Sequence, residues 1–152
     1  MVAEDWEEVT LKYPGGEAHD AESLLIDHKA RLLLLVTKSL TECKVFTAPL
    51  DFMPGTTVTL SPTELSLVSL FATDASSSSS GSRIVIRSYF TGFLWERESP
   101  HASLVETLAT DPCVIPVGLE RQGESIALEG DGDVYLTHSE HIDQDIIRHH
   151  FI

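Results

Sequence analysis

Apolar residues alternate with polar ones along most of this chain, or run in short blocks between clusters of Gly, Pro, Asp and Ser. Alternation with a period of two, and short apolar blocks bounded by turn residues, are typical of β-strands. We therefore expect an all-β fold. The pattern predicts 12 strands, at Trp6–Tyr13, Ser23–Asp27, Leu32–Thr37, Lys44–Ala48, Thr56–Leu60, Glu64–Ala72, Arg83–Tyr89, Gly92–Glu96, Val114–Val117, Ser125–Leu128, Val134–Thr137 and Asp145–Phe151.

One segment has helical spacing instead, with apolar residues at Leu104, Val105 and Leu108. Ser103 precedes it, and a serine in this place accepts a hydrogen bond from a backbone N–H of the first helical turn. The segment predicts one short connecting helix.

The serine run Ser76–Ser80, followed by Gly81 and Ser82, interrupts the strand pattern. It offers little apolar surface to pack, so it predicts a flexible, solvated hairpin tip. Strand-like sequence resumes at Arg83 with the spacing expected inside one sheet. We place no domain boundary there and expect residues 1–152 to form a single domain.

Three segments of the chain resemble one another at regular steps. Ala21–Asp27 recurs as Gly123–Glu129, and a weaker copy lies about midway between them at Val68–Thr73. Self-similarity at a period of about 50 residues, with about four strands per unit and no alternating helices, is the sequence signature of propeller blades. The repeat predicts about three four-stranded β-propeller blades, half of a six-bladed ring, at about residues 20–60, 64–117 and 122–152.

The motifs HDAES at His19–Ser23, LWERE at Leu94–Glu98 and QGESIA at Gln122–Ala127 stand in the order and at the separations of a known family. In these motifs the chain resembles the second half of an uncharacterised, mostly bacterial family of six-bladed β-propellers. The resemblance covers roughly Trp6 to Glu140 and implies a half-propeller fold. Relatives tend to carry an acid in the middle blade, where this chain has Val68-Ser69-Leu70, which weakens the implication of an ion site there.

The last predicted blade is one strand short, and the segment before the first inner strand is one strand long. In that segment Trp6, Val9, Leu11 and Tyr13 give a strand-like pattern. A propeller usually closes when one terminus donates a strand to the blade of the other, so we expect residues 6–13 to act as a closing outer strand. Three blades also leave two sheet faces open, which favours a homodimer, a higher assembly or a complementary half-propeller chain as partner.

Charge and hydropathy exclude some partners. Lys and Arg total 10 against 24 for Asp and Glu, and the net charge of -14 repels phosphate backbones and anionic lipid headgroups. We expect no nucleic acid and no membrane as partner. The N-terminus lacks the basic start and apolar run of a signal peptide, and the block Leu32–Val36 is far shorter than the roughly 20 residues that cross a bilayer. The compartment stays open.

Glu22 and Glu124 hold equivalent positions at the start of innermost strands, which surround the central channel of a propeller. Their functional interpretation is calcium or polar-ligand binding, with His19 and Asp20 as further ligands, because carboxylates suit hard cations. Their structural interpretation is that each carboxylate accepts backbone N–H groups and ties neighbouring blades together. Calcium is the single cofactor under consideration.

Two functions follow from these observations. The favoured one is a non-catalytic scaffold or interaction module that assembles with itself or with a missing half to close a ring. The alternative is a calcium-dependent propeller hydrolase that cleaves phosphate or ester bonds with channel carboxylates, since propellers also host enzymes and fold alone does not choose. No GxSxG motif marks a serine nucleophile.

Overall fold

The structure is a computed structural model, and it describes residues 6–68, 71–140 and 143–151. The all-β prediction is confirmed: these residues form thirteen strands, one 3-10 turn at Pro14–Gly16 and one short helix. The strands are β1 Thr10–Lys12, β2 Ala21–Asp27, β3 Leu32–Thr37, β4 Glu42–Pro49, β5 Thr57–Thr59, β6 Ser61–Val68, β7 Asp74–Ser77, β8 Arg83–Arg87, β9 Gly92–Glu96, β10 Cys113–Ile115, β11 Gly123–Glu129, β12 Val134–Ser139 and β13 Ile147–His150; the helix is α1 Leu104–Leu108.

The strands form three antiparallel sheets and one parallel pair. The first sheet has the order β2-β3-β4-β6, the second β7-β8-β9-β10 and the third β11-β12-β13. Strand β5 pairs in parallel with β1, with Leu11 opposite Val58. Within the described residues no strand pairs with the outer edge of β13, so the third sheet has three strands where the other two have four.

The first two strands of every sheet form equivalent hairpins at one constant interval along the chain. The last pairs before the hairpin turns are Asp27 with Leu32, Ser78 with Arg83, and Glu129 with Val134. The interval along the chain from Asp27 to Ser78 equals that from Ser78 to Glu129. We call this interval the repeat step. The shift that relates Ala21–Asp27 to Gly123–Glu129 is two repeat steps.

The middle copy differs from its predicted position. One repeat step places the equivalent of Ala21 at Ala72, not at Val68, and the first strand of the second sheet is β7. Ser76 and Ser77 are therefore strand residues, and Ser78 is buried, so the predicted flexible loop is wrong over this part of the serine run. Hydrophobic patterning does not detect β7 because two of its four side chains, Asp74 and Ser76, are polar and hydrogen-bond to the third sheet.

Two predicted strands also belong elsewhere. The sequence pattern assigns Thr56–Leu60 to the first blade-like unit, but as β5 this strand pairs with β1. The pattern assigns Glu64–Ala72 to the second unit, but as β6 this strand completes the first sheet beside β4; residues 69 and 70 lie outside the described residues. Strands β3 and β9 match their predicted ranges residue for residue.

The predicted helix is confirmed as α1, with Ser103 as its N-cap. Ser103 Oγ accepts the Glu106 N–H at 3.1 Å, and Glu106 Oε2 accepts the Ser103 N–H at 2.7 Å, which is a capping box. Leu104 and Leu108 are buried against the first two sheets. In the described residues α1 is far too short to cross a bilayer, and no other helix has the length and apolar character to do so.

Successive sheets pack face to face at two junctions. At the first junction Leu34 and Val36 of the first sheet join Ile84, Ile86 and Trp95 of the second in one buried cluster. At the second junction the buried cluster consists of Val85 and Leu94 with Ile115 from the second sheet, and Ile126 and Tyr135 from the third.

The β1–β5 pair packs on the first sheet, on the face that turns away from the second sheet. Leu11, Tyr13 and Val58 contact the buried residues Phe46 and Ala48 of β4. The side chains of Leu34 and Leu35 point to opposite faces of β3, as strand geometry requires, and Leu35 belongs to this third cluster.

Candidate functional site at the polar cleft

An open cleft of about 640 Å³ lies at the end of the sheets opposite the equivalent hairpin turns. We call it the polar cleft. Three of its lining residues, Lys38, Tyr89 and Glu140, follow one another at the repeat step, just after the second strand of each sheet. Glu22 and Glu124 line the same cleft, each at a register shift in the first strand of its sheet. These two carboxylates therefore border one open space.

Glu22 is bound on both carboxylate oxygens by a lysine. Lys38 Nζ donates to Glu22 Oε1 at 2.8 Å and to Oε2 at 2.9 Å, and also to the Tyr89 hydroxyl at 2.8 Å. The ammonium lies 4.8 Å from the Tyr89 ring centroid and 5.0 Å from that of Phe71. Burial alone would lower the pKa of Lys38, but the hydrogen bonds to Glu22 and Tyr89 outweigh it and raise the pKa. The ammonium therefore fixes Glu22 and links the first two sheets.

Glu124 is held on the other side of the polar cleft by an amide. Gln122 Nε2 donates to Glu124 Oε1 at 3.0 Å and to Glu140 Oε2 at 2.8 Å. One amide thus bridges two carboxylates of the third sheet. Glu22 and Glu124 are thus each hydrogen-bonded to a side chain. The partners expected from the sequence are instead backbone N–H groups or a calcium ion.

His19 and Asp20, the further ligands expected from the sequence, have other contacts. His19 Nε2 lies 2.8 Å from Glu17 Oε2, and its ring packs edge-on against Tyr13 with centroids 4.8 Å apart. The Asp20 carbonyl accepts the Lys38 N–H at 2.8 Å. The structure therefore places His19 in the aromatic cluster under β1 and not in the polar cleft.

In the described part of the chain, the polar cleft has neither a cluster of metal ligands nor a hydrogen-bonded serine–histidine pair. Residues 6–68, 71–140 and 143–151 contain no group of three His, Cys, Asp or Glu side chains placed to hold a metal ion. Ser125 and His138 are cross-strand neighbours that both line the polar cleft, yet no hydrogen bond joins their side chains among the described contacts. An activated serine needs its base within hydrogen-bond reach. Calcium binding stays a prediction.

Next to the polar cleft, the second junction contains a buried ion pair. Arg87 and Glu120 have side chains 0% and 4% exposed, and Arg87 Nη1 donates to Glu120 Oε2 at 2.9 Å. The same nitrogen donates to the Ser125 carbonyl at 2.8 Å. A methyl group at Gly123 would overlap the Arg87 guanidinium, so glycine leaves the space that the arginine fills.

A short chain of hydrogen bonds extends this pair to the outer strand of the third sheet. Thr137 Oγ1 donates to Glu120 Oε1 at 2.6 Å and lies 3.1 Å from His149 Nε2. Because the hydroxyl donates to the carboxylate, it accepts from His149, whose Nε2 carries the proton. Burial lowers the pKa of His149, and the opposing effects of Glu120, which raises it, and Arg87, which lowers it, leave that direction unchanged.

Side chains of β7 accept hydrogen bonds from the backbone of β11. Asp74 Oδ2 accepts the Ile126 N–H at 2.7 Å, and Ser76 Oγ accepts the Leu128 N–H at 3.0 Å. Burial raises the pKa of Asp74 in spite of the N–H groups of Ile126 and Ala75, which lower it. The second and third sheets are thus joined by polar contacts along their first strands.

The four residues of the predicted closing strand differ in burial. Leu11 and Tyr13 pack against the first sheet, Val9 is half-buried and Trp6 is 79% exposed. Sequence reasoning missed Lys38, Gln122 and the Arg87–Glu120 pair. The sequence could have indicated Lys38, because the repeat step aligns Lys38 with Tyr89 and Glu140.

Comparisons with known proteins add a likeness of fold. A scan against protein-family models and a search among curated proteins each found no match. A solved structure from Bacteroides uniformis, named as a candidate 6-phosphogluconolactonase, has a TM-score of 0.59 and 9% identity over 96% of this chain and 42% of its own. Kluyveromyces lactis Hsv2 has a TM-score of 0.44 and 14% identity over 93% of this chain and 50% of its own. This chain spans half or less of either structure.

Proposed function

We propose that this chain is a non-catalytic scaffold: three blades that form half of a six-bladed β-propeller and close the ring against a second copy. One observation carries the proposal. Leu24 on β2 is 51% exposed, whereas Ile126, at the equivalent position of β11, is 2% exposed against the second sheet. A position that is buried in the repeat is therefore open on the first sheet.

Each sheet has one face for the sheet before it and one for the sheet after it. The second sheet turns Ile84 and Ile86 towards the first, and the third turns Ile126 and Tyr135 towards the second. The same face of the first sheet carries Leu24. The β1–β5 pair covers this face at Phe46 and Ala48, and in the described residues no sheet covers Leu24. Covering such an apolar surface stabilises an assembly by about 25 cal/mol per Å² removed from water.

The third sheet offers the complementary face. Ala127 is exposed there, whereas its equivalent in the first sheet, Leu25, is buried. Leu136 is half-buried, whereas its equivalent in the second sheet, Val85, is buried. Each repeat packs on its neighbour in the same way, so the first sheet of a second copy can pack on the third sheet of this one. Two copies of three units then close with two equal junctions, as a two-fold assembly requires. The likeness to 42% of a larger solved chain supports a partial architecture.

The polar cleft supports a scaffold over a hydrolase. Lys38 occupies both oxygens of Glu22, and Gln122 bridges Glu124 and Glu140. These side chains hold one another across the sheets, and none of them is a free base beside a nucleophile.

The test is the molar mass of the full chain in solution, by light scattering over a concentration series. We expect twice the monomer mass of 16.7 kDa. Leu24→Asp places a charge on the open face and is expected to give a folded monomer. The control is Leu40→Asp: Leu40 is 76% exposed, in the turn between β3 and β4, and the variant should remain a dimer.

A well-folded wild-type monomer contradicts self-assembly and points to a complementary chain. A dimer that Leu24→Asp leaves as stable as Leu40→Asp does places the interface elsewhere. Circular dichroism of both variants separates loss of assembly from loss of folding.

A further inference from the structure

We infer that strand addition closes the ring, with β1 of one copy pairing antiparallel along the open edge of β13 in the other. This inference rests on the proposed two-copy ring. It deepens that proposal by naming the strands that join. Chain order, sequence equivalence, packing and backbone direction each point to it.

Chain order gives β1 the role of a fourth strand. In the first sheet the fourth strand, β6, directly precedes β7, and in the second the fourth strand, β10, directly precedes β11. By the same order β1, which precedes β2, is the fourth strand of a sheet that comes before the first. A second copy supplies that sheet as its own third sheet, which lacks this strand.

Sequence equivalence gives the same assignment. Pro14 follows β1 after one intervening residue, Tyr13, and Pro116 directly follows β10. These prolines stand two repeat steps apart, the shift that relates the first copy to the third. Strand β1 therefore corresponds to β10. Strand β10 pairs antiparallel with β9 as the outer strand of its sheet.

Packing places β1 where this role requires. Phe46 lies opposite Leu35 on the first sheet, as Phe93 lies opposite Ile86 on the second. On the second sheet this region packs with Val45 and Leu67 of β4 and β6, the outer strands of the sheet before it. On the first sheet the corresponding region packs with the β1–β5 pair. The pair thus occupies the position of the outer strands of a preceding sheet.

The open edge of β13 presents alternate backbone groups. The Phe151 N–H donates to the Asp133 carbonyl at 3.2 Å, and Tyr135 pairs with His149 in the same register. In an antiparallel ladder every second residue faces the partner strand. The N–H and C=O groups of Arg148 and His150 therefore point away from β12, to the open edge.

Strand β1 has a matching free edge. The Thr10 N–H donates to the Thr56 carbonyl at 2.9 Å, and the Lys12 carbonyl accepts the Leu60 N–H at 2.7 Å. The backbone groups of Thr10 and Lys12 therefore face β5, and those of Val9 and Leu11 face the other side. An unpaired row of this kind is a template for another strand.

The test compares Arg148→Pro with Arg148→Ala in the full chain. Both variants lose the exposed ion pair with Glu129. Only proline also removes the N–H that faces the open edge, and the isolated fold tolerates proline there because this N–H faces away from β12. We expect Arg148→Pro to raise the dimer dissociation constant about tenfold or more over Arg148→Ala, because the ring contains the lost hydrogen bond twice.

Hydrogen exchange of the same amides gives a second readout. In the wild-type dimer we expect the Arg148 and His150 amides to be protected, and in the Leu24→Asp monomer to exchange rapidly. A dimer with rapid exchange at both amides, and equal dissociation constants for the two variants, overturns strand addition while the two-copy ring stands. A wild-type monomer overturns the proposed function and this inference together.

Discussion

The first and second junctions join equivalent positions of the repeat with different chemistry. At the first junction Val36 is buried in an apolar cluster with Leu34 and Trp95. At the second, the residue equivalent to Val36 is Arg87, and its guanidinium is buried against Glu120. Charge at the first junction lies at its two ends. Lys38 binds Glu22 and Tyr89 at the polar cleft, and at the hairpin end Asp27 accepts the Leu104 N–H at 2.7 Å and lies 3.5 Å from Arg97 Nη2.

The difference shows that this fold accepts a buried ion pair beside an apolar cluster. Both junctions bury apolar side chains and keep the same repeat step, and the second adds the Arg87–Glu120 pair to that packing. A buried ion pair costs desolvation that its attraction offsets only with good geometry and further hydrogen bonds. Thr137 and the Ser125 carbonyl supply such hydrogen bonds at the second junction.

Removal of the buried arginine is expected to have the largest effect. Arg87→Met leaves the Glu120 carboxylate buried without its cation, and we expect the free energy of unfolding to fall by about 3–5 kcal/mol. Urea unfolding at one fixed chain concentration measures it. Adding Glu120→Gln to this variant removes the stranded charge and should recover part of the loss.

The matched control is Arg148→Met, which breaks the pair of Arg148 with Glu129, both of them more than half exposed. An exposed pair of this kind contributes about 0–1 kcal/mol. Equal losses in the two arginine variants would show that the second junction does not depend on its charges.

A smaller difference in stability is expected between substitutions at equivalent positions of the two junctions. Asp74→Ala removes the acceptor of the Ile126 N–H, and we expect a loss of about 1–3 kcal/mol in urea unfolding. Ser23 holds the same position on the first sheet, and its buried hydroxyl has no hydrogen-bond partner among the described residues. Ser23→Ala removes this unpartnered hydroxyl, so we expect it to leave stability nearly unchanged or to raise it slightly. A larger loss for Ser23→Ala than for Asp74→Ala would reverse the comparison.

The smallest effect is a pH dependence that arises at the second junction. The pKa of His149 is lower in the folded chain than its ordinary value of 6.5, so below that pH the unfolded state binds more protons. The stability from neutral His149 is present above pH 6.5 and is lost as the pH falls through this value towards the lowered folded pKa. Urea unfolding between about pH 7.5 and 5.5 should show a shallower decline for His149→Phe than for wild type. His28→Phe, at an exposed turn of the first sheet, is the matched substitution control.

Much of the fold follows from hydrophobic alternation, and the strand that this pattern fails to detect shows the limit of the pattern. Strands β3 and β9 bury apolar side chains, so their ranges are predictable from the pattern. Strand β7 consists of Asp74, Ala75, Ser76 and Ser77, and it is ordered by side-chain hydrogen bonds to another sheet. No local pattern records a contact that depends on a strand far along the chain.

The candidate site was predictable as a place, and less so as a set of contacts. The repeat aligns Glu22 with Glu124 and so predicts that both reach the same cleft. It does not show that Lys38 and Gln122 hold them, because these contacts depend on side-chain reach across sheets. Arg87 ends an apolar strand and gives no sign of a buried partner in the loop that contains Glu120.

The missing side chain at Gly123 constrains how Arg87 could have arisen in the repeat. The corresponding residues of the other copies are Ala21 and Ala72, and a methyl group at position 123 would overlap the Arg87 guanidinium. If the copies arose by duplication of one ancestor with alanine here, the arginine was acceptable only after, or together with, the loss of that methyl group. The order of substitutions was therefore constrained, and an arginine introduced today at position 36 would face the same barrier at Ala72.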